Sequence, residues 1–281
     1  MHGPLLRLAL VLYSVGLLHS VLTVLRRKQT LFGPAVVAAI AGFVSHATSI
    51  VLRAYAPQNQ ALAQPYETTF SLFAAVAVLA FLLVYWRYKI ASLGFFAFPA
   101  IFVMTFMANL AYSSAAYSSN AASPQTAEQL AIAREMLRSR WIYIHLPLVV
   151  LGYVAFFVAF SAAVLYLIQE RELKLKRVFH SRLPSLEICD DLAYRSLAIG
   201  FPLMTLAFLS GALWAQQLDG VNWISDPMIL VSFLTWFIYL TLIHYRFIAG
   251  WRGKKAAYLA IVGFVGVVVT FSVSGLSTFH P

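Results

Sequence analysis

Long apolar stretches dominate the sequence and limit the folds that it can adopt. They run for about 20 residues with almost no charge, which is the length an α-helix needs to cross a hydrocarbon layer roughly 30 Å thick. A soluble domain of 281 residues would need more polar surface than 61% hydrophobic and 11% charged residues provide. We therefore predict an all-α, polytopic integral membrane protein, and we interpret the first stretch as a retained span rather than a signal peptide. The eight predicted transmembrane helices cover residues 4–25, 33–53, 67–86, 91–113, 141–168, 193–216, 227–246 and 256–276.

The formal net charge of +10 lies in short basic clusters between these stretches, not on a face that could bind nucleic acid. Such clusters are typical of cytoplasmic loops under the positive-inside rule. Here they fall in alternate loops, so both termini are expected outside and no nucleic acid is expected as a partner. The cytoplasmic clusters are Arg26–Lys28, Arg87 with Lys89, the basic residues from Arg171 to Arg182, and those from Arg246 to Lys255.

The chain is expected to form one membrane domain over residues 1–281. Three outer, periplasmic segments are long enough to carry function: 55–66, 114–140 and 214–227. A single cysteine, Cys189, excludes an internal disulfide and a CxxC redox pair, and the absence of CxxCH excludes a cytochrome c.

Two histidines are predicted at the outer face on different helices, His145 at the start of the fifth span and His280 after the eighth. Ionisable residues in or near a membrane are functional candidates, and two imidazoles are what a six-coordinate haem iron needs. The alternative is that each is an interfacial side chain bonded to water or backbone. His2 and His180 are expected to be solvated.

Deeper histidines can be compared by counting 1.5 Å per residue from the outer face. His244 and His19 then lie about 24 Å and about 20 Å deep, and His46 about 10 Å deep. His19 therefore fits better than His46 as the mate of His244 at a second haem site within the bilayer. For His46 the alternative is a buried histidine bonded to a neighbouring helix.

The outer segment 214–227 carries Trp214 and Trp223, whose flat indoles are suited to lie against a porphyrin. An interfacial aromatic belt would place tryptophans there without any ligand, and composition alone favours that alternative. Asp226-Pro227 before an apolar run also suits a helix start.

Several segments in order resemble the CcsA/ResC family of cytochrome c biogenesis. They are PYETTFSLFAAV, IHLPLVVLGYVAF, PSLEICDDLAYRSLAIGFPLMTLAFLSGALWA, SGALWAQQLDGVNWISDP, FIYLTLIHYRFIAGWRGKKAAYLAIVGF and the final STFHP. The resemblance covers roughly residues 55 to 281. Each piece alone is weak, and the ordered set is specific.

The resemblance implies a haem-handling protein of "system II" in the bacterial inner membrane. Such proteins present haem b at the outer face for covalent attachment to apocytochrome c, working with a ResB/CcsB-type membrane partner. By this resemblance His145 and His280 are the two outer histidines that ligate the iron, in a transient bis-histidine state. His244 matches the membrane-embedded haem histidine, whose usual mate comes from the partner, so His19 is a competing idea.

The resemblance also identifies 214–227 as a WWD-like segment, which departs from the family pattern. Gly220, Trp223, Asp226 and Pro227 match it, as does Trp214 upstream, and these are the candidate haem-contacting residues. Asp219 and Ser225 stand where the pattern has tryptophans. Whether the chain catalyses attachment is left open; as an enzyme it would be a subunit of cytochrome c haem lyase. The alternative is a HemX-like regulator of haem synthesis or the haem pool without attachment activity.

Overall fold

A computed structural model describes residues 2–26, 32–55, 65–118, 141–176, 183–216 and 226–273. The regular secondary structure of these residues is helical. In this described part all eight α-helices are long and apolar enough to cross a membrane, which confirms the predicted all-α polytopic class. A 3₁₀ turn, Ala91–Leu93, precedes the fourth helix. The helices are α1 His2–Arg26, α2 Phe32–Ala54, α3 Pro65–Tyr88, α4 Gly94–Ser118, α5 Ile142–Lys174, α6 Leu186–Ala215, α7 Pro227–Ile248 and α8 Lys254–Val273.

Several helices extend beyond the spans that the sequence predicts. The fifth continues to Lys174, whose ammonium lies 2.7 Å from the carboxylate of Glu170 one turn earlier. The sixth begins at Leu186, and the Ser185 side chain accepts a hydrogen bond from the backbone N–H of Ile188 at 3.2 Å. Hydropathy locates the part of a helix that lies in hydrocarbon, whereas capping and i,i+4 pairs continue the helix into polar surroundings.

The chain forms two compact units, Met1–Arg140 and Trp141–Pro281. The first contains α1 to α4 and the second α5 to α8. The single membrane domain over residues 1–281 stays a prediction, and so do the outer segments, most of whose residues lie outside the described part.

In the first unit, α1 packs against α2 and α4, while α3 packs against the same two helices. Small residues permit this close approach: Gly42 on α2 faces the ring of Tyr13, and Gly16 on α1 faces the ring of Phe98. A β-carbon at either glycine would overlap the ring. Helix contacts in membranes depend on such small residues because apolar burial gives little net drive there.

In the second unit, the most extensive contact is between α5 and α6, and α8 packs against α5 and α7. The rings of Phe156 on α5 and Tyr239 on α7 stack with centroids 3.7 Å apart. Asp190 on α6 accepts hydrogen bonds from both terminal nitrogens of Arg246, at 2.7 and 2.8 Å, and from the backbone N–H of Gly253 at 2.9 Å. This carboxylate therefore joins α6 to α7 and to the turn before α8.

Candidate functional site

His145 lies in the first turn of α5 and reaches the last two turns of α6. Its Nδ1 is 2.9 Å from the carbonyl oxygen of Ala207 and 3.1 Å from the hydroxyl of Ser210. The Ser210 hydroxyl itself donates to the Ala207 carbonyl at 2.9 Å. A carbonyl oxygen can only accept, so Nδ1 is assigned the hydrogen, and in the neutral ring Nε2 then carries the lone pair. A metal-ligating histidine uses this arrangement, in which one nitrogen is held by a carbonyl and the other binds.

The indole of Trp214 lies beside the same imidazole, edge to face, with centroids 6.0 Å apart and an interplanar angle of 61°. Trp214 is 8% exposed within its unit. Because α5 and α6 pack along their length, the start of α5 lies beside the end of α6. His145 and Trp214 are therefore brought together. The sequence had placed them about 70 residues apart, and the structure brings them into contact.

Asp226 and Pro227 begin α7, as the helix-start interpretation predicted. The Asp226 carboxylate accepts hydrogen bonds from the backbone N–H groups of Met228 at 2.9 Å and Ile229 at 3.4 Å. Pro227 occupies the first turn, where its missing N–H costs nothing. The other three outer candidates, Gly220, Trp223 and His280, lie outside the described residues, so their places at the site stay predictions.

The two candidates for a membrane site lie in different units. His244 on α7 is exposed within its unit, and its ring contacts Tyr245 edge to face at 5.7 Å. His19 on α1 is half-buried, and its Nδ1 is buried without a hydrogen-bond partner among the described residues. Their pairing at one iron stays a prediction.

The two remaining described histidines lie against other side chains of the first unit. His46 is fully buried, and its ring nitrogens lie 2.6 Å from the Ser71 hydroxyl and 3.5 Å from the Tyr13 hydroxyl. This confirms a buried histidine bonded to neighbouring helices. The expectation that His2 is solvated is wrong: its Nε2 is buried 3.7 Å from the Glu67 carboxylate. The N-terminus of α1 packs against α2, which a hydropathy profile does not show.

Sequence reasoning missed Ala207, Ser210 and Gly211, which surround His145. For Ser210 and Gly211 a signal was present in the small-residue run SGA near the end of α6, because small residues mark close helix contacts in membranes. That signal does not identify the side chain that fills the space. Among the described residues, no three His, Cys, Asp or Glu side chains come together to hold a metal ion. An iron held by haem needs only axial imidazoles, and the role of His145 as such a ligand stays a prediction.

The described residues form eight helices of membrane-spanning length, and they hold the His145 imidazole against the Trp214 indole. These features define a polytopic membrane protein with a candidate cofactor-ligating histidine. The chain matches the Cytochrome C assembly protein family over residues 39–280. This match spans most of the chain, so the protein belongs to that family, whose members act in cytochrome c biogenesis.

The relatives agree with this assignment. The chain is similar to cytochrome c biogenesis protein CcsA of Guillardia theta, with 30% identity over 165 residues, 53% of this chain and 55% of the relative. CcsA of Prochlorococcus marinus (strain MIT 9312) is 33% identical over 156 residues, 48% of this chain and 50% of the relative. CcsA of Gloeobacter violaceus is 44% identical over 85 residues, 30% of this chain and 25% of the relative.

The chain spans about half the length of the first of these relatives. No solved structure shows significant similarity to it.

Proposed function

We propose that this protein is a haem-binding cytochrome c assembly factor that presents haem b at the outer face of a bacterial-type inner membrane. The observation that carries the proposal is the hydrogen bond from His145 Nδ1 to the Ala207 carbonyl at 2.9 Å. It fixes the tautomer in which Nε2 can ligate iron, and Trp214 lies beside the ring. Membership in the cytochrome c assembly family supports the choice of haem over other ligands.

His145 and His280 are the proposed axial ligands at this site, and Trp214 and Trp223 are the proposed supports for the macrocycle. Two imidazoles would hold the haem iron and would limit the access of oxygen and other small ligands to it. Indole faces suit a flat apolar ligand, and the buried position of Trp214 restricts its rotamers. Gly220 is proposed to lie against the macrocycle, while Asp226 and Pro227 start α7 and so define the end of the outer segment.

Attachment of haem to apocytochrome c joins the haem vinyl groups to the cysteine thiols of the CxxCH motif, and that chemistry belongs to the cofactor and the substrate. The contribution of this chain is to hold haem in one orientation beside an incoming peptide, which removes much of the entropic cost of the reaction. In this sense the protein acts as a subunit of cytochrome c haem lyase, with a ResB/CcsB-type membrane partner.

A second site within the membrane is proposed at His244. Its exposure within its unit leaves the imidazole able to meet a ligand or another helix. His19 is the proposed mate within this chain, and a histidine of the partner protein is the competing mate. The unpartnered, buried Nδ1 of His19 is the observation that favours His19.

The proposal is tested by purifying the protein with its partner in mild detergent and recording absorption spectra of the oxidised and reduced forms. We expect a six-coordinate haem spectrum that His145→Ala and His280→Ala each change. His46→Ala is the matched control, because its imidazole is buried but bonded to Ser71 and Tyr13. Unchanged haem content and spectrum in His145→Ala would overturn the proposal.

Attachment is tested separately by co-expression with the ResB/CcsB-type partner and a CxxCH apocytochrome, followed by detection of covalently bound haem. We expect covalent cytochrome c in the presence of the chain and none in its absence. Haem binding without any attachment would instead assign the HemX-like function, in which the chain senses or buffers haem.

A further inference from the structure

The environment of His145 contains two groups besides the carbonyl that restrict its ring. The Ser210 hydroxyl lies 3.1 Å from Nδ1 and donates its own hydrogen to the Ala207 carbonyl, so it can only accept from Nδ1. The Nδ1 hydrogen is therefore shared between two oxygens on one turn of α6. This arrangement fixes both the tautomer and the rotation of the imidazole.

Gly211 leaves the space that the ring fills. A β-carbon at this position would lie 2.9 Å from Cε1 and 3.2 Å from Nδ1 of His145. The nearest atoms belong to a ring held by two hydrogen bonds rather than to the end of a flexible chain. An added methyl group therefore cannot be accommodated without moving the imidazole.

The backbone of α6 does not require glycine here, because Gly211 lies in regular helix without a positive φ. Glycine within a helix costs about 1 kcal/mol relative to alanine, so helix formation alone would favour alanine. Close contact with His145 is a sufficient physical reason for glycine at this position.

We infer that Ser210 and Gly211 are positioning residues that make Nε2 of His145 the nitrogen offered to haem iron. This inference rests on the proposed function and extends it to residues of α6. Ser210 acts through its hydrogen bond to Nδ1, and Gly211 acts by leaving room for the ring. Removing a group that hydrogen-bonds to a metal-ligating histidine changes metal affinity by about 10–100-fold, which sets the scale of the expected effects.

Gly211→Ala, compared with Gly200→Ala, tests the shape argument. Gly200 is on the same helix, and a β-carbon there would come equally close to a neighbour, 2.9 Å from the ring of Phe156. We expect Gly211→Ala to lower haem affinity by roughly tenfold or more and to alter the axial-ligand bands. Gly200→Ala is expected to retain the parental spectrum even if its thermal stability falls. An equal effect of the two variants on the spectrum, or no effect of Gly211→Ala, would overturn the inference.

Ser210→Ala tests the hydrogen bond through the reduction potential of the bound haem. Loss of an acceptor at Nδ1 lowers the basicity of the imidazole, so the potential is expected to rise. Ser210→Thr keeps a hydroxyl and should restore the parental value, whereas Ser196→Ala, at another buried serine of α6, should leave it unchanged. A potential that does not move in Ser210→Ala, or that Ser210→Thr fails to restore, would contradict the role of Ser210.

His145→Gly separates this inference from the proposed function. If His145 ligates iron, His145→Gly changes the spectrum, and adding Gly211→Ala to it has no further effect because the ring is gone. If His145→Gly leaves the spectrum intact, the proposed function itself fails. A spectral change in His145→Gly together with an undiminished effect of Gly211→Ala in that background would overturn the positioning role alone.

Discussion

The guanidinium of Arg53, in the last turn of α2, lies 2.6 Å from the carboxylate of Glu67, in the first turn of α3, with the two side chains only 9% and 2% exposed. The pair joins the two ends of the segment between these helices within the first unit. His2 approaches the same carboxylate from α1, so three helices meet at one buried acid. Ionised groups in such a place are stable only when they remain paired.

Removing one charge of this pair is expected to destabilise the first unit strongly. Glu67→Gln leaves the buried Arg53 guanidinium without its counter-ion, a change that costs about 3–5 kcal/mol in buried pairs. Thermal unfolding in detergent measures the effect. The control is Asp191→Asn, because Asp191 pairs with Arg195 at the surface, with side chains 36% and 60% exposed, and such pairs contribute less than about 1 kcal/mol.

Replacing both partners separates the loss of pairing from the loss of shape. A Glu67→Met, Arg53→Leu double variant removes both charges and should regain most of the stability that Glu67→Gln loses. If Glu67→Gln is no less stable than Asp191→Asn, the buried pair has no such role.

The number and approximate position of the helices in the described residues were predictable, because the length of an apolar run reflects the thickness of the membrane. The ends of the helices were not predictable from hydropathy. For example, α5 continues to Lys174, because the charged Lys174 side chain can pair with Glu170 one turn away. The start of α7 was predictable, since Asp226-Pro227 is a local signal that acts over three residues.

Contacts between distant residues could not be read from the sequence in the same way. Asp190 and Arg246 are 56 residues apart, and His145 is 62 residues from Ala207. The presence of a histidine at position 145 indicated a possible ligand. The tautomer of its ring depends on the Ala207 carbonyl, and the packing of α5 on α6 determines where that carbonyl lies. The expectation for His2 was wrong for the same reason, because the Glu67 carboxylate that lies 3.7 Å from it is distant in the sequence.

The orientation of the chain can be tested with reporter fusions. Basic clusters in alternate loops predict that Lys176 and Lys255 lie in the cytoplasm and Asn120 in the periplasm, with both termini outside. Alkaline phosphatase fused at Asn120 should be active, and the same reporter at Lys176 should be inactive. Phosphatase activity at Lys176 would reverse the orientation and remove His145 and His280 from the outer face.

Two tryptophans should differ in their effect on haem. Trp223 lies in the WWD-like segment, whereas Trp236 on α7 donates a hydrogen bond to the Thr205 hydroxyl at 2.9 Å and stacks on Phe201. We expect Trp223→Ala to lower haem retention, and Trp236→Ala to lower thermal stability while keeping haem. The measurement is haem per protein at matched expression. Equal haem content in both variants would return Trp223 to the interfacial aromatic belt.

The membrane site is tested by comparing His244→Ala with His19→Ala. If the two histidines ligate one iron, each variant should remove the same component of the reduced spectrum, and the double variant should remove no more. Imidazole added outside should not restore it, because the site lies within the apolar layer. Loss of the component in His244→Ala alone would assign the second ligand to the partner protein.

His145 and His280 are expected to act as one unit at the outer site. Both match the outer histidines of the resembled family, and Nδ1 of His145 is already held by α6, so Nε2 is the atom that can ligate. Removing either imidazole leaves one axial position open, which changes the spectrum and raises the sensitivity of the haem to oxidation. Imidazole added to His145→Gly or His280→Gly should restore the six-coordinate spectrum in part, because the missing group is only a ligand.

The double variant decides whether the two histidines share one iron. Groups that act together on one atom are not additive, so His145→Gly with His280→Gly should be hardly worse than either single change. Haem content, spectrum and covalent cytochrome c should all show this pattern, with His46→Ala as the control for loss of a buried imidazole. Strictly additive losses would place the histidines at separate sites. In that case the iron bound by His145, beside Trp214, would need a second ligand other than His280.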